Sequence, residues 1–193
     1  MVNLNWRALF RDGARDDLLA ARRFRLFRTA LAWSGSRDLA DDLVQNTLIK
    51  AASNWHTLRD PAKLDAWLFS ILTNYWRMHL RSQRKFESLD DMPEDFLIDE
   101  RTPELIHESH EIVDRVRFAV ASLPILHREV VTLVDLEEFS YLEVARILDV
   151  PAGTVMSRLA RGRAALRTII EHQFSPAQYL SSSTVNDIEG AKS

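Results

Sequence analysis

The stretch SYLEVARILDVPAGTVMSRLARGR, residues 140–163, carries two helical patterns separated by a few residues. In the first, Ser140 precedes Glu143 at the spacing of a capping box, ahead of the apolar run Val144, Ala145, Ile147 and Leu148. In the second, Val155 and Leu159, with Leu166 beyond the quoted stretch, mark a buried stripe that leaves Ser157, Arg158, Arg161 and Arg163 on the wet side. The link between them, DVPAG, is a tight corner. Two helices so joined, the second rich in hydrogen-bond donors, describe a helix-turn-helix whose second helix enters the DNA major groove. Arginines alone would fit any solvated helix face, but the cap, the corner and the small residues Gly153, Ala160 and Gly162, which suit close approach to DNA, agree with one another.

Upstream and downstream of this unit the pattern stays helical, and the fold class is all-α. Five glycines in 193 residues and the lack of sustained alternation leave no convincing strand. Helices are expected over 14–33, 37–54 and 63–85, with Ser36 capping the second, and then over 104–122, 124–138, 140–148 and 152–172. The third has a core stripe of Leu64, Trp67, Leu68, Ile71, Leu72, Tyr75 and Met78. The first three make a small three-helix-type bundle and the last four a second domain containing the helix-turn-helix. With 46% apolar residues both can bury a core, and with no cysteine, disulfides, thiolate catalysis and cysteine-ligated zinc are excluded. No apolar run approaches bilayer length, so a cytoplasmic protein without membrane insertion of its own is expected.

The formal charge of -3 hides a segmented distribution. Residues 59–86 set six bases against two acids, and residues 146–167 five against one. Between them, residues 87–111 carry ten acids and the single base Arg101. With Pro93 and Pro103, this acidic strap is the natural boundary. The expected organisation is therefore a first domain over 1–86, an acidic flexible linker over 87–108, a second domain over 109–172, and a polar, disordered tail over 173–193.

Residues 123–166, with the motifs SYLEVA and GTVMSRL, resemble region 4 of the extracytoplasmic-function (ECF) sigma factors, the promoter-specificity subunits of bacterial RNA polymerase. DLADDLVQNTLIKAASNW (38–55) followed by LDAWLFSILTNYWRMHLRSQRK (64–85) resembles region 2 of the same family. The chain departs from many relatives at Glu138 and Asp149, where they carry glycine. The resemblance implies a protein that binds core RNA polymerase, directs initiation at particular promoters and is controlled by an anti-sigma factor.

It also implies a division of labour. Asp41, Asp42, Gln45, Asn46 and Lys50 lie off the apolar stripe of their helix, and the family docks this helix on the β′ clamp helices, with further contacts to the β subunit. A mixed polar rim fits a protein partner better than phosphate, because adjacent carboxylates repel DNA. For the downstream promoter element the resemblance points to Asn74, Arg77, His79, Arg81 and Lys85, with Arg59 and Lys63 from the preceding loop. There the family captures a melted strand with a base flipped out. Stacking worth about 1–3 kcal/mol per base offsets about 1.4 kcal/mol for opening a step, so capture can drive melting. Trp67 and Tyr75 fit the core stripe and are read as packing. For the upstream element the groove-facing set is Met156, Ser157, Ala160 and Arg161, with Tyr141, Thr154, Arg158 and Arg163 open to phosphates. Which arginines meet bases and which meet phosphates is left open by the residues themselves.

A stand-alone repressor or activator would also use a helix-turn-helix, but no heptads or ligand-binding domain accompany this one. An enzyme is not expected, since no nucleophile motif or phosphate-binding glycine loop is present, and no cofactor is expected either. His107 and His110 stand three apart beside Glu108 and Glu111, too few strong ligands for a metal site.

Overall fold

The computed structural model describes residues 12–86 and 111–173, and every regular element among them is helical. The proposed linker, the tail beyond Gln173 and residues 104–110 of the fourth expected helix, His107 and His110 included, lie outside the described residues.

Helices α1 (Asp12–Ser34), α2 (Arg37–Ser53) and α3 (Leu64–Phe86) form the N-terminal group. Gly35, at φ 65°, turns the chain out of α1, and the Ser36 hydroxyl accepts from the Leu39 N–H at 3.4 Å to start α2. Two single 3-10 turns, Trp55–Thr57 and Pro61–Lys63, lead into α3, the second capped by Asp60 accepting from the Ala62 N–H at 3.0 Å. Leu26, Ala30 and Trp33 of α1, Leu43, Val44 and Ala51 of α2, and Leu64, Leu68 and Leu72 of α3 close the core. Trp55 and Trp67 meet edge to face at 6.2 Å, in accord with reading Trp67 as packing.

The C-terminal group comprises α4 (Glu111–Ala121), α5 (Ile125–Val131), α6 (Tyr141–Leu148) and α7 (Ala152–Gln173). The capping box is present in full: Ser140 caps the Glu143 N–H while Glu143 Oε2 accepts from the Ser140 N–H at 2.9 Å. The helix expected over 124–138 is broken instead. After Val131 the chain widens into a turn of π-helix, Thr132–Leu136, and Glu138 then takes φ 60°. Wide bonds from the Glu137 N–H to Thr132 O and from the Phe139 N–H to Leu133 O, both 3.0 Å, close this exit. At the corner before α7, Asp149 adopts φ 51° and the Val150 N–H reaches back to Ala145 O at 3.0 Å. The two positions where many relatives carry glycine are thus the two non-glycine residues with positive φ among those described.

The two groups share one continuous apolar core. Helix α3 packs on α1 and α2 with one face and against α6 with another. Phe69 of α3 meets Phe139 edge to face at 5.0 Å. This second packing face corrects one expectation: Met78, assigned to the core stripe, is 56% exposed, while Trp76, outside that stripe, is 2% exposed. The stripe broadens around α3 because a second partner covers it, drawing in Phe69, Thr73 and Trp76 and leaving Met78 on the open side.

Candidate nucleic-acid interface

Helix α7 is seated by Val155 and Leu159, both buried, and by Gly162, which faces α5. A Cβ at Gly162 would lie 2.7 Å from Val131 Cγ2 and 3.3 Å from the His127 Cβ. The expectation that Gly162 lets DNA approach is therefore overturned: its lack of a side chain lets α5 approach. Gly153 meets nothing within 4 Å, and it and Ala160 are exposed, as close approach to a ligand requires. Met156, Ser157, Ala160 and Arg161 form an exposed row on α7, with Ser157 Oγ donating to Thr154 O at 3.0 Å. Tyr141 is exposed at the start of α6, and Thr154 and Arg158 are half-buried. Arg163 is engaged within the fold, donating to both carboxylate oxygens of Asp135 at 3.1 and 2.5 Å. That pairing raises its pKa further above the ordinary arginine value.

On α3, Asn74 and Arg81 are exposed, and Arg77 and His79 half-buried. The His79 ring stacks on the Trp76 indole, centroids 6.0 Å apart and 13° between planes, so the buried indole orients a half-exposed imidazole. Arg59 and Lys63 are exposed on the preceding loop, Lys63 lying 3.6 Å from Asp60. The side chain of Lys85 lies outside the described residues. On α2, Asp41, Asp42, Gln45, Asn46 and Lys50 are all exposed, and Ile49, 57% exposed, supplies an apolar centre that sequence reasoning passed over. A rim-and-centre pattern of this kind suits a protein partner. Arg23 of α1 reaches Asp41 at 3.2 Å.

A further residue, Glu129 of α5, was not anticipated. It is 1% exposed, and Arg77 from α3, Arg158 from α7 and Arg128 from its own helix all act on it electrostatically. Desolvation nevertheless outweighs these cations and holds its carboxyl above the usual glutamate range. One arginine from each basic helix thus acts electrostatically on a single buried acid. Nothing in its sequence context, LHREVV, separates Glu129 from a solvated helix position.

Residues 18–86 match the family model for sigma-70 region 2, and residues 114–166 the model for sigma-70 region 4. The chain is 36% identical over 160 residues to the ECF RNA polymerase sigma factor EcfG of Rhodopseudomonas palustris, covering 82% of this chain and 86% of that one. It belongs to the ECF RNA polymerase sigma factors. Among solved structures, the fold of this sigma factor is similar to RpoE in complex with the anti-sigma factor NepR from Bartonella quintana, with a TM-score of 0.66, 26% identity, and coverage of 81% of this chain and 96% of that one. It is also similar to CnrH in complex with the cytosolic domain of CnrY, with a TM-score of 0.58, 25% identity, and coverage of 86% and 92%. Among the described residues of the sigma factor, no group of three or more metal-ligating side chains converges, and no helix is long and apolar enough to cross a membrane.

Proposed function

We propose that this sigma factor delivers core RNA polymerase to its promoters through three surfaces. The α2 rim of Asp41, Asp42, Gln45, Asn46 and Lys50 around Ile49 engages the β′ clamp helices. Arg59, Lys63, Asn74, Arg77, His79, Arg81 and Lys85 hold the melted downstream element. Met156, Ser157, Ala160 and Arg161 read the upstream element, flanked by Tyr141, Thr154, Arg158 and Arg163 for the backbone. In this reading residues 1–86 act as region 2, 87–108 as an acidic linker, 109–172 as region 4 and 173–193 as a tail, all within the cytoplasm. The solved relatives RpoE and CnrH are bound to NepR and to the cytosolic domain of CnrY, and on that likeness the chain is controlled by an anti-sigma factor.

The observation that carries the reading is the exposed row on α7, set apart from the face that Val155, Leu159 and Gly162 bury. Its test is run-off transcription and footprinting on a genomic fragment library with and without core polymerase. Protection and transcripts are expected with core only. Protection of duplex by the chain alone would make it a self-sufficient regulator instead.

A further inference from the structure

The loop Glu137-Glu138-Phe139 leaves the C-terminal group and inserts two side chains into the N-terminal one. Glu137, 4% exposed, accepts from Arg25 Nε at 2.5 Å and from the Thr29 hydroxyl at 2.8 Å. Its carbonyl accepts from a second Arg25 nitrogen at 2.7 Å, and Arg28 stands 3.6 Å from its carboxylate. Asp65, at 2.8 Å from Arg25 and also paired with Arg22, fixes that guanidinium from the α3 side. Phe139 packs on Phe69, and the Arg25 guanidinium lies 5.4 Å and 5.3 Å from the two ring centroids. A second tie lies nearby: Arg128, 2% exposed, donates to Trp33 O at 2.6 Å as well as to Leu123 O and Ala121 O.

Against these contacts stand groups left unmet at or near the same seam. Trp33 Nε1, Trp76 Nε1 and Glu129 Oε2 are buried without a hydrogen-bond partner. The Trp76 indole comes close enough to favour the charged carboxylate, but neither atom reaches hydrogen-bonding geometry. Water would satisfy all three on separation. The loop itself is held at Glu138 in the left-handed region that a β-carbon disfavours. The seam thus holds charge-assisted ties that favour closure and buried polar groups that separation would satisfy.

We infer that the 137–139 loop is an intramolecular clasp that locks α3 and α6 together, so that the free sigma factor rests closed and must release this loop before both DNA-reading helices can engage one promoter. The inference rests on the proposed reading of α3 and α7 as DNA-facing. In the closed form Trp76 is buried, and Arg77 and Arg158, both half-buried, act electrostatically on the same buried Glu129.

The chain has no cysteine, so introduced ones are unique. Spin labels at Ser53→Cys and Thr168→Cys, both exposed and outside the proposed interfaces, report the distance between the two groups in the full-length free protein. One narrow distance is expected for the otherwise native protein, and a longer, broader distribution for Glu137→Ala with unchanged helicity. A second variant, Thr29→Cys with Glu137→Cys, closes the clasp covalently when oxidised and removes it when reduced. Run-off transcription by its holoenzyme should fall by at least about tenfold on oxidation and return on reduction. Identical distance distributions for Glu137→Ala and its parent, or full transcription by the verified cross-linked form, would overturn the clasp. If the native protein supports no transcription from any fragment, the functional reading fails, while the distance measurement, which needs no DNA, still decides the clasp.

Discussion

Arg163 and Asp135 form a two-pronged ion pair, 3.1 and 2.5 Å, joining α7 to the π-helical turn that follows α5. Both side chains retain solvent contact, so the pair is a competitor for phosphate more than a prop for the fold. Asp135→Ala should release Arg163, tighten holoenzyme binding to all promoters alike, and steepen the salt dependence by about one unit of slope. Binding titrations at several salt concentrations check this, and an unchanged slope would leave Arg163 without a DNA role.

Arg161 is exposed and lies about 200° around α7 from Arg163, so the two cannot both face base edges squarely. Arg161→Ala should cost about 1–3 kcal/mol at the upstream element and flatten the base preference there. The measurement is transcription from promoters mutated base by base. An equal loss from every variant, with the ranking of bases intact, would make Arg161 a phosphate contact.

Charge reversal at Asp41 and Asp42 should weaken association with core polymerase while leaving helicity unchanged, since both side chains are exposed on α2. Asp41 also receives Arg23, so its reversal removes one surface ion pair worth under about 1 kcal/mol to the fold. Co-purification with core at wild-type levels would refute the docking assignment.

Glu129 supplies a pH signature. Its carboxyl is raised above 4.5 by burial, so its contribution to stability is fully present below 4.5 and declines as pH rises through the raised value, where the folded state must ionise an ill-solvated group. Glu129→Gln removes that decline. Near neutral pH the variant should gain on the order of 1 kcal/mol, seen as a melting temperature about 2–4 °C higher, and the gain should shrink toward acid. Equal gains at pH 5 and pH 8 would contradict it.

Glu138 and Asp149 both occupy left-handed backbone, but a short aspartate tolerates it better than glutamate. Glu138→Gly should therefore stabilise the protein by up to about 1 kcal/mol, and Asp149→Gly by less. Paired thermal melts decide the order.

Much of this architecture was readable from residue order, because caps and stripes are local. Ser36, the Ser140 and Glu143 pair, and the Val155 and Leu159 stripe each depend only on neighbours within a turn or two. Met78 was misplaced, and Trp76 left out of the core stripe, because α3 has packing partners on two sides, and one helical period cannot report both. Gly162 was misread for a related reason: a glycine on a basic helix looks like an opening for DNA until the helix behind it is known. Glu129 and the grip of Glu137 on Arg25 join positions far apart along the chain, and no spacing rule connects them.

The seat of α7 against Val131 leaves no room for a side chain at position 162, while the opposite row bears no packing duty. On the proposed reading, holding the helix and choosing the promoter fall to different residues. Met156, Ser157, Ala160 and Arg161 would then form an exchangeable cassette, open to substitutions that retarget the protein without disturbing the scaffold, whereas even a methyl group at Gly162 would push on Val131 and shift the seat of the reader.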